Sequence, residues 1–141
     1  MKLREARLLR MFVAAAALVP ISAGLAGVVY GPAMIPGTPA GESHDLDSHF
    51  RYLSGLLLAI GIGYVSTIAR IESRSARFQL LTVIVVIGGL GRLISWIITG
   101  APSSVMIAAL IMELAITPGV ACWQHRVARL HADQVMPADS L

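Results

Sequence analysis

The sequence predicts an all-α protein, an integral membrane bundle of four antiparallel helices. Two observations predict this fold class. The composition is 56% hydrophobic and only 13% charged, whereas soluble domains carry about 25% charged residues, so lipid is the solvent that suits this surface. The apolar residues also fall into four stretches of about 18–22 residues, the length of a helix that crosses a hydrocarbon core of ~30 Å.

The predicted domain is single and covers residues 1–141, with spans at about residues 11–30, 52–69, 78–99 and 104–123. Strands are excluded, because the stretches lack alternation and an open sheet would leave backbone groups unpaired in lipid. Residues 124–141 are predicted to form a tail on the inner surface, helical at first, with Val127 and Leu130 facing the lipid. Pro20 and Pro118 are candidate kinks in spans one and four.

The basic residues predict the orientation. Nine of the eleven cations fall on one side of a four-span path, and an excess of Lys and Arg marks the cytoplasmic side. Both termini are therefore predicted to be cytoplasmic. A cleaved signal peptide is the alternative for span one, but its apolar run is long for that role and no clear small-x-small site ends it. The nine cations are Lys2, Arg4, Arg7, Arg10, Arg70, Arg74, Arg77, Arg126 and Arg129.

Small residues recur at four-residue spacing along the spans. Such residues let helices approach closely in lipid, so they predict a compact bundle, and the alternative that they line a ligand cavity stays open. The stripes are Ala23, Gly27 and Gly31 on span one, Gly55, Ala59 and Gly63 on span two, Gly91, Ser95 and Thr99 on span three, and Ala115 and Gly119 on span four.

Two cations, Arg51 and Arg92, are not among the nine that this topology assigns to the cytoplasmic side. Residues at equal depth in an antiparallel pair have numbers with a constant sum, and the predicted turns then place Arg92 level with Glu113 and Gly55. Arg51 falls one turn above, level with Trp96. An ionised side chain at this depth costs at least ~2.5–3.5 kcal/mol on insertion scales, so the register predicts an Arg92–Glu113 ion pair.

This charged layer has two interpretations. It is either a structural pin that fixes the order of the helices or a site for a ligand or a proton. Arg51 and Arg92 outweigh Glu113, so the layer would attract an anionic or quinone-like ligand unless Asp47 pairs with Arg51. Nearby polar side chains would serve the remaining donors, among them Tyr52 and Trp96. The ligand-binding hypothesis names Arg51, Arg92, Glu113, Ser54, Ser95 and His49.

Other chemistry finds little support in the sequence. The segment Glu42–His49 (ESHDLDSH) contains metal-capable residues, but their spacing matches no common zinc pattern. We predict a solvated loop there, no metal site, and an N-cap for span two at Asp47 or Ser48. The single Cys122 excludes an internal disulfide and a cysteine-based metal cluster. No catalytic motif, cofactor motif or nucleic-acid-binding pattern is present.

Four segments carry a resemblance to a known family. They are SHFRYLSG (48–55), GGLGRLIS (88–95), GAP (100–102) and ELAITPGVACW (113–123). They resemble the small bacterial four-span proteins grouped as domain of unknown function 4345, over roughly residues 8–128. The resemblance implies a multi-pass protein of the bacterial inner membrane, loosely similar to DoxX-type proteins, with no assigned activity. Its recurring polar positions would be His49, Arg51, Ser54, Arg92, Ser95 and Glu113.

Three functions remain open at this point. The first is a non-catalytic accessory subunit or oligomerising scaffold, with the lipid bilayer and a membrane protein or a second copy as partners. The second is a binder or carrier of a small anionic or quinone-like ligand at the Arg/Glu layer. The third is a membrane oxidoreductase or metal-assisted enzyme that uses the outer-loop histidines.

Overall fold

The computed structural model describes residues 2–35, 37 and 43–135, and nearly all of them are helical. A 3-10 turn, Gly31–Met34, follows the first helix, and a π-helical turn, Met112–Ile116, joins the last two. No strand occurs among the described residues. The helices are α1 (Lys2–Tyr30), α2 (His44–Ile68), α3 (Ser75–Thr99), α4 (Ser104–Ile111) and α5 (Thr117–Val135).

Within the described part of the chain, four helical segments are long and apolar enough to cross a membrane. Much of their apolar surface is open, as Ile97 and Ile98 on α3 show with 76% and 75% of their surface exposed. Such exposure is unfavourable in water and natural in lipid. The chain is therefore a multi-pass membrane protein, and the predicted all-α four-helix class is confirmed. The segments are Arg4–Met34, His44–Ile68, Ser75–Thr99 and Ser104–Ala132.

Four of the helices, α1, α2, α3 and α5, extend beyond the predicted spans. α1 begins at Lys2, and α2 begins at His44, because hydropathy marks the lipid-facing part of a helix and not its ends. The predicted N-cap at Asp47 or Ser48 is wrong. Ser43 precedes α2 instead, and its Oγ accepts a hydrogen bond from the Leu46 N–H at 3.3 Å. The solvated loop predicted at residues 42–49 is therefore helical from His44 onward, and Glu42 lies outside the described residues.

The chain packs as two compact units, Met11–Ile68 and Met1–Arg10 with Ala69–Leu141. The assignment of a single four-span domain stays a prediction. So does the placement of both termini on the cytoplasmic side.

In the Met11–Ile68 unit, α1 and α2 run antiparallel and meet through small residues. A Cβ on Gly24 would lie 2.6 Å from the backbone nitrogen of Leu58, and Gly27 faces the side chain of Ser54. Gly61 leaves room for Ile21, next to Pro20. The closest contacts of α2 thus run through Ser54, Leu58 and Gly61, whereas in the predicted four-residue stripe a Cβ on Gly55 would lie 4.0 Å from Val28 and Ala59 is exposed. Alternating steps of three and four residues follow the helical period of 3.6 better than steps of four alone.

In the other unit, α3 packs against the rod formed by α4, the π turn and α5, and the first turns of α1 complete the core. Leu9, Ile71 and Phe78 are almost fully buried. α5 continues the fourth span into the tail, and Val127 is only 5% exposed. The prediction that Val127 faces lipid is therefore wrong. Val127 lies three residues after the fully buried Gln124, so both side chains point to the same packed face of α5.

The π turn ends at Ile116, two residues before Pro118. Both the backbone N–H and the hydroxyl of Thr117 donate to the carbonyl of Met112. Pro118 has no N–H to continue the α-helical ladder, and a wider turn is one way in which a helix accommodates such a break. The predicted irregularity at Pro118 thus coincides with an extra residue in the helical turn that carries Glu113.

Candidate functional site

Arg92 and Glu113 form a bidentate ion pair within the membrane-spanning segments. Arg92 Nε donates to Oε2 of Glu113 and Nη2 donates to Oε1, both at 3.0 Å. Arg92 Nη1 lies 3.0 Å from the sulfur of Met106. The side chains keep 34% and 19% of their surface exposed. A two-point contact between the planar guanidinium and a carboxylate is the strong form of this interaction.

Gly89 and the π turn bring the two charges together. Gly89 is buried one turn before Arg92, and a Cβ there would lie 2.9 Å from Cβ of Glu113 and 2.8 Å from Cδ2 of Leu114. The absence of a side chain at Gly89 therefore lets the fourth span approach α3 at the level of the pair. Glu113 itself belongs to the π turn, a helical irregularity that is frequent at functional sites.

Arg51 has its partners within the Met11–Ile68 unit. Its Nε donates to Oδ2 of Asp47 at 2.8 Å, and its Nη2 donates to Oδ1 at 3.2 Å. Its Nη1 donates to the carbonyls of Val28 and Val29. These carbonyls belong to the last turn of α1, where no intrahelical N–H remains to meet them. Arg51 therefore caps the end of α1 while Asp47 neutralises its charge.

Gly31 makes room for this cap. Its φ is +62°, and a Cβ there would lie 2.6 Å from Oδ1 of Asp47 and 2.9 Å from Nη2 of Arg51. Glycine after the last residue of a helix takes the left-handed conformation without steric cost. The Asp47–Arg51 pair thus sits over the point where α1 ends.

The remaining predicted ligand residues are bonded locally or exposed. Ser54 is buried and donates to the carbonyl of Phe50 at 2.8 Å. Ser95 is exposed, and its carbonyl accepts the hydroxyl of Thr99. His49 is exposed on α2. The structure thus brings Arg92 to Glu113 and Arg51 to Asp47. The depth of Arg51 and Gly55 in the membrane relative to Arg92 stays a prediction. So does the ligand-binding role of all six residues.

The comparisons with known proteins identify the family. A family model described as Domain of unknown function (DUF4345) matches residues 8–124, which is most of the chain. The chain belongs to this family. No curated protein and no solved structure matches it.

The DUF4345 match includes both charged pairs of the spans. It also contains Gly31, Gly89 and the π turn, so the described geometry lies within the family region. It ends at Gln124, before Arg126 and Arg129. The prediction of this family is confirmed, whereas the looser likeness to DoxX-type proteins stays a prediction.

Within the DUF4345 region, sequence reasoning missed a polar cluster at one end of α3. Arg10 Nη2 donates to both carboxylate oxygens of Glu72 at 2.9 Å. Gln124 is fully buried, and its amide donates to the carbonyl of Ile71 at 2.7 Å and to Ser75 Oγ at 2.9 Å. The available signal was a polar amide between the apolar end of span four and the basic tail. Gln124 thereby ties the fourth span to the turn that precedes α3.

Burial of Glu72 acts to raise the pKa of its carboxyl, but hydrogen bonds from Arg10 and from its own backbone outweigh burial. The pKa of Glu72 therefore falls below its ordinary value of 4.5. Glu72 is therefore a carboxylate at neutral pH, and its pair with Arg10 fastens α1 to the segment before α3.

The two histidines before the second predicted span, His44 and His49, lie on the first two turns of α2. His44 and His49 are both exposed, and Asp47 is held by Arg51. No group of three or more His, Cys, Asp or Glu residues within the described part of the chain has the geometry of a metal site. Cys122 is exposed on α5.

Proposed function

We propose that this protein is a non-catalytic accessory subunit or oligomerising scaffold of a complex in the bacterial inner membrane. One observation carries the proposal. The small-residue face of α3, made of Gly88, Gly91, Ser95 and Thr99, is exposed along its whole length. A Cβ added at Gly88 or Gly91 would meet no atom within 4 Å.

An uncovered face of this kind suits a second helix better than it suits lipid. Residues 88, 91, 95 and 99 recur at steps of three and four, so they lie along one side of α3. Small residues on one side let another helix approach closely, and van der Waals packing and interhelical hydrogen bonds then hold the two together. Ser95 and Thr99 add hydroxyl groups to this face.

The charges of the spans support a structural role. Arg51 and Arg92 each have a bidentate carboxylate partner in their own unit, so neither leaves a whole uncompensated charge for a substrate. A paired charge fixes the order and depth of helices. We propose that the Arg92–Glu113 pair has this role.

Native mass spectrometry of the protein, gently extracted from its own membrane, tests the proposal. We expect a partner polypeptide or a second copy to remain bound. Gly91→Leu should abolish the association, because it fills the small-residue face. Ile97→Leu is the matched control, since Ile97 is 76% exposed on another side of α3. A lone subunit in the unmodified sample, or an association that survives Gly91→Leu, would contradict the proposal.

A second candidate function is the binding of a small anionic or quinone-like ligand at Arg92. The observation in its favour is the 34% exposure of the Arg92 side chain beside a π turn. The same spectra test it, because a bound small molecule that is lost in Arg92→Ala and retained in Ile97→Leu would favour this function.

A further inference from the structure

Eight arginines gather at one end of the unit formed by residues 1–10 and 69–141. They lie on three segments that the structure ties together. Arg10 forms an ion pair with Glu72. Oε1 of Glu5 lies 3.8 Å from Nη2 of Arg126. The side-chain amide of Gln124 donates a hydrogen bond to Ser75 Oγ. This arginine belt consists of Arg4, Arg7, Arg10, Arg70, Arg74, Arg77, Arg126 and Arg129.

The belt has a large excess of positive charge. Its two carboxylates, Glu5 and Glu72, already face Arg126 and Arg10. Five other arginines have no ion-pair partner within the described part of the chain, and all five are exposed. They are Arg4, Arg7, Arg70, Arg74 and Arg129.

Apolar surface begins directly beside the belt on the same helices. Leu8 on α1 is 50% exposed, and Leu80 on α3 is 61% exposed. A molecule that satisfied both surfaces would carry an anionic group at one end and hydrocarbon chains at the other. A phospholipid with an anionic headgroup has this form, and a free anion does not.

We propose that the arginine belt binds the phosphate headgroups of anionic phospholipids, which would collect around this end of the protein. Guanidinium groups donate hydrogen bonds to phosphate oxygens in pairs, and cations close to a membrane surface attract anionic lipids. The inference is independent of the proposed scaffold role, because the belt and the small-residue face of α3 share no residue.

The two tryptophans provide a reporter and its control. Trp123 precedes Gln124 and thus lies beside the belt, whereas Trp96 lies in the last turn of α3, about 30 Å along the helix from Ser75. Trp96→Phe leaves only the reporter at the belt, and Trp123→Phe leaves only the reporter at the opposite end. Both variants are reconstituted as full chains into phosphatidylcholine bilayers that contain either brominated phosphatidylglycerol or the same fraction of brominated phosphatidylcholine.

We expect the brominated anionic lipid to quench Trp123 more strongly than the brominated zwitterionic lipid, with no such preference at Trp96. Arg70→Gln with Arg74→Gln should lower the preference at Trp123, by up to about fivefold for each arginine, which corresponds to about 1 kcal/mol. Equal quenching of Trp123 by the two lipids would overturn the proposal, and so would an unchanged preference in the folded double variant.

Two further measurements keep the test decisive if the double variant does not fold. Raising the salt concentration from 0.1 to 1 M shortens the Debye length from about 10 to about 3 Å, so the preference at Trp123 should fall in the protein with all its arginines. A preference that ignores salt would contradict an electrostatic site. Inorganic phosphate, added at constant ionic strength, should leave the quenching unchanged, and relief of the quenching would show that the belt takes a free anion instead.

Discussion

At the scale of single residues, Arg92 and Glu113 neutralise each other's charge and share two hydrogen bonds. Two nitrogens of the guanidinium meet the two carboxylate oxygens, and a third lies against the sulfur of Met106. Removal of one partner would leave the other charge in a span without its counter-charge, which costs more than removing both.

Arg92→Ala and Glu113→Ala should each lower the free energy of unfolding by about 1.5–3 kcal/mol, the range for hydrogen bonds to charged groups. The double substitution should cost less than the two single ones added together. Thermal or denaturant unfolding in detergent measures this, with Ser95→Ala on the exposed side of α3 as the control. Two single variants that melt like the parent would show that the pair contributes nothing to stability.

Gly31→Ala should destabilise the protein, because its φ is +62° and a Cβ would enter the Asp47–Arg51 pair. The left-handed conformation alone costs an L residue about 1–2 kcal/mol. Gly91→Ala is the matched control, since Gly91 is helical and has open space around it, so it should be neutral or slightly stabilising. The melting temperatures of the two variants decide the matter, and equal values would count against the described end of α1.

The sequence was sufficient to bring Arg92 level with Glu113, because depth in an antiparallel pair depends only on residue number. It did not reveal that Met106 would meet Arg92 or that Arg51 would cap α1. Those contacts depend on how each helix is rotated about its axis, and residue spacing leaves that rotation open. The pairing of Arg51 with Asp47 was left open by the sequence, and because α2 begins at His44 the two residues are neighbours four apart on a helix.

At the scale of elements, α1 and α2 pack closely because glycines at their contact have no side chains. Gly24 and Gly27 lie against Leu58 and Ser54, and Gly61 lies against Ile21. The sequence predicted close packing from small residues but did not identify which of them on α2 approach α1 most closely, because many occur there and only the contacts distinguish them. The predicted N-cap failed for a related reason, since several polar residues precede span two and each could begin a helix.

Gly24→Ala should force α1 and α2 apart, since the added methyl would lie 2.6 Å from the backbone nitrogen of Leu58. A backbone atom, unlike a side chain, cannot relieve the clash by changing rotamer. Overpacking of this kind costs about 1–3 kcal/mol. Gly88→Ala places the same methyl on α3 in open space and should leave stability unchanged or improved. Unfolding measurements on both variants test the packing, and a Gly24→Ala protein as stable as the Gly88→Ala protein would refute it.

At the scale of the whole molecule, composition and span length were enough to predict four helices in a membrane. They leave the orientation as a prediction that rests on the distribution of Arg and Lys. A fluorescent protein fused to either terminus should fluoresce in the cytoplasm, and alkaline phosphatase fused there should be inactive. A phosphatase inserted between residues 37 and 43 is the control and should be active. Phosphatase activity at either terminus would show that the predicted orientation is reversed or that a terminus crosses the membrane.

The pairing of Arg92 with Glu113 also determines how much work the membrane potential can do on the charges of these two side chains. A membrane potential does work of about 2.3 kcal/mol for each elementary charge that crosses 100 mV, but the two opposite charges of a bound pair move together and their contributions cancel. Neutralising Glu113 alone would leave Arg92 as a lone gating charge inside the span. The membrane potential would then exert a net force on α3 at Arg92, which the intact ion pair does not experience.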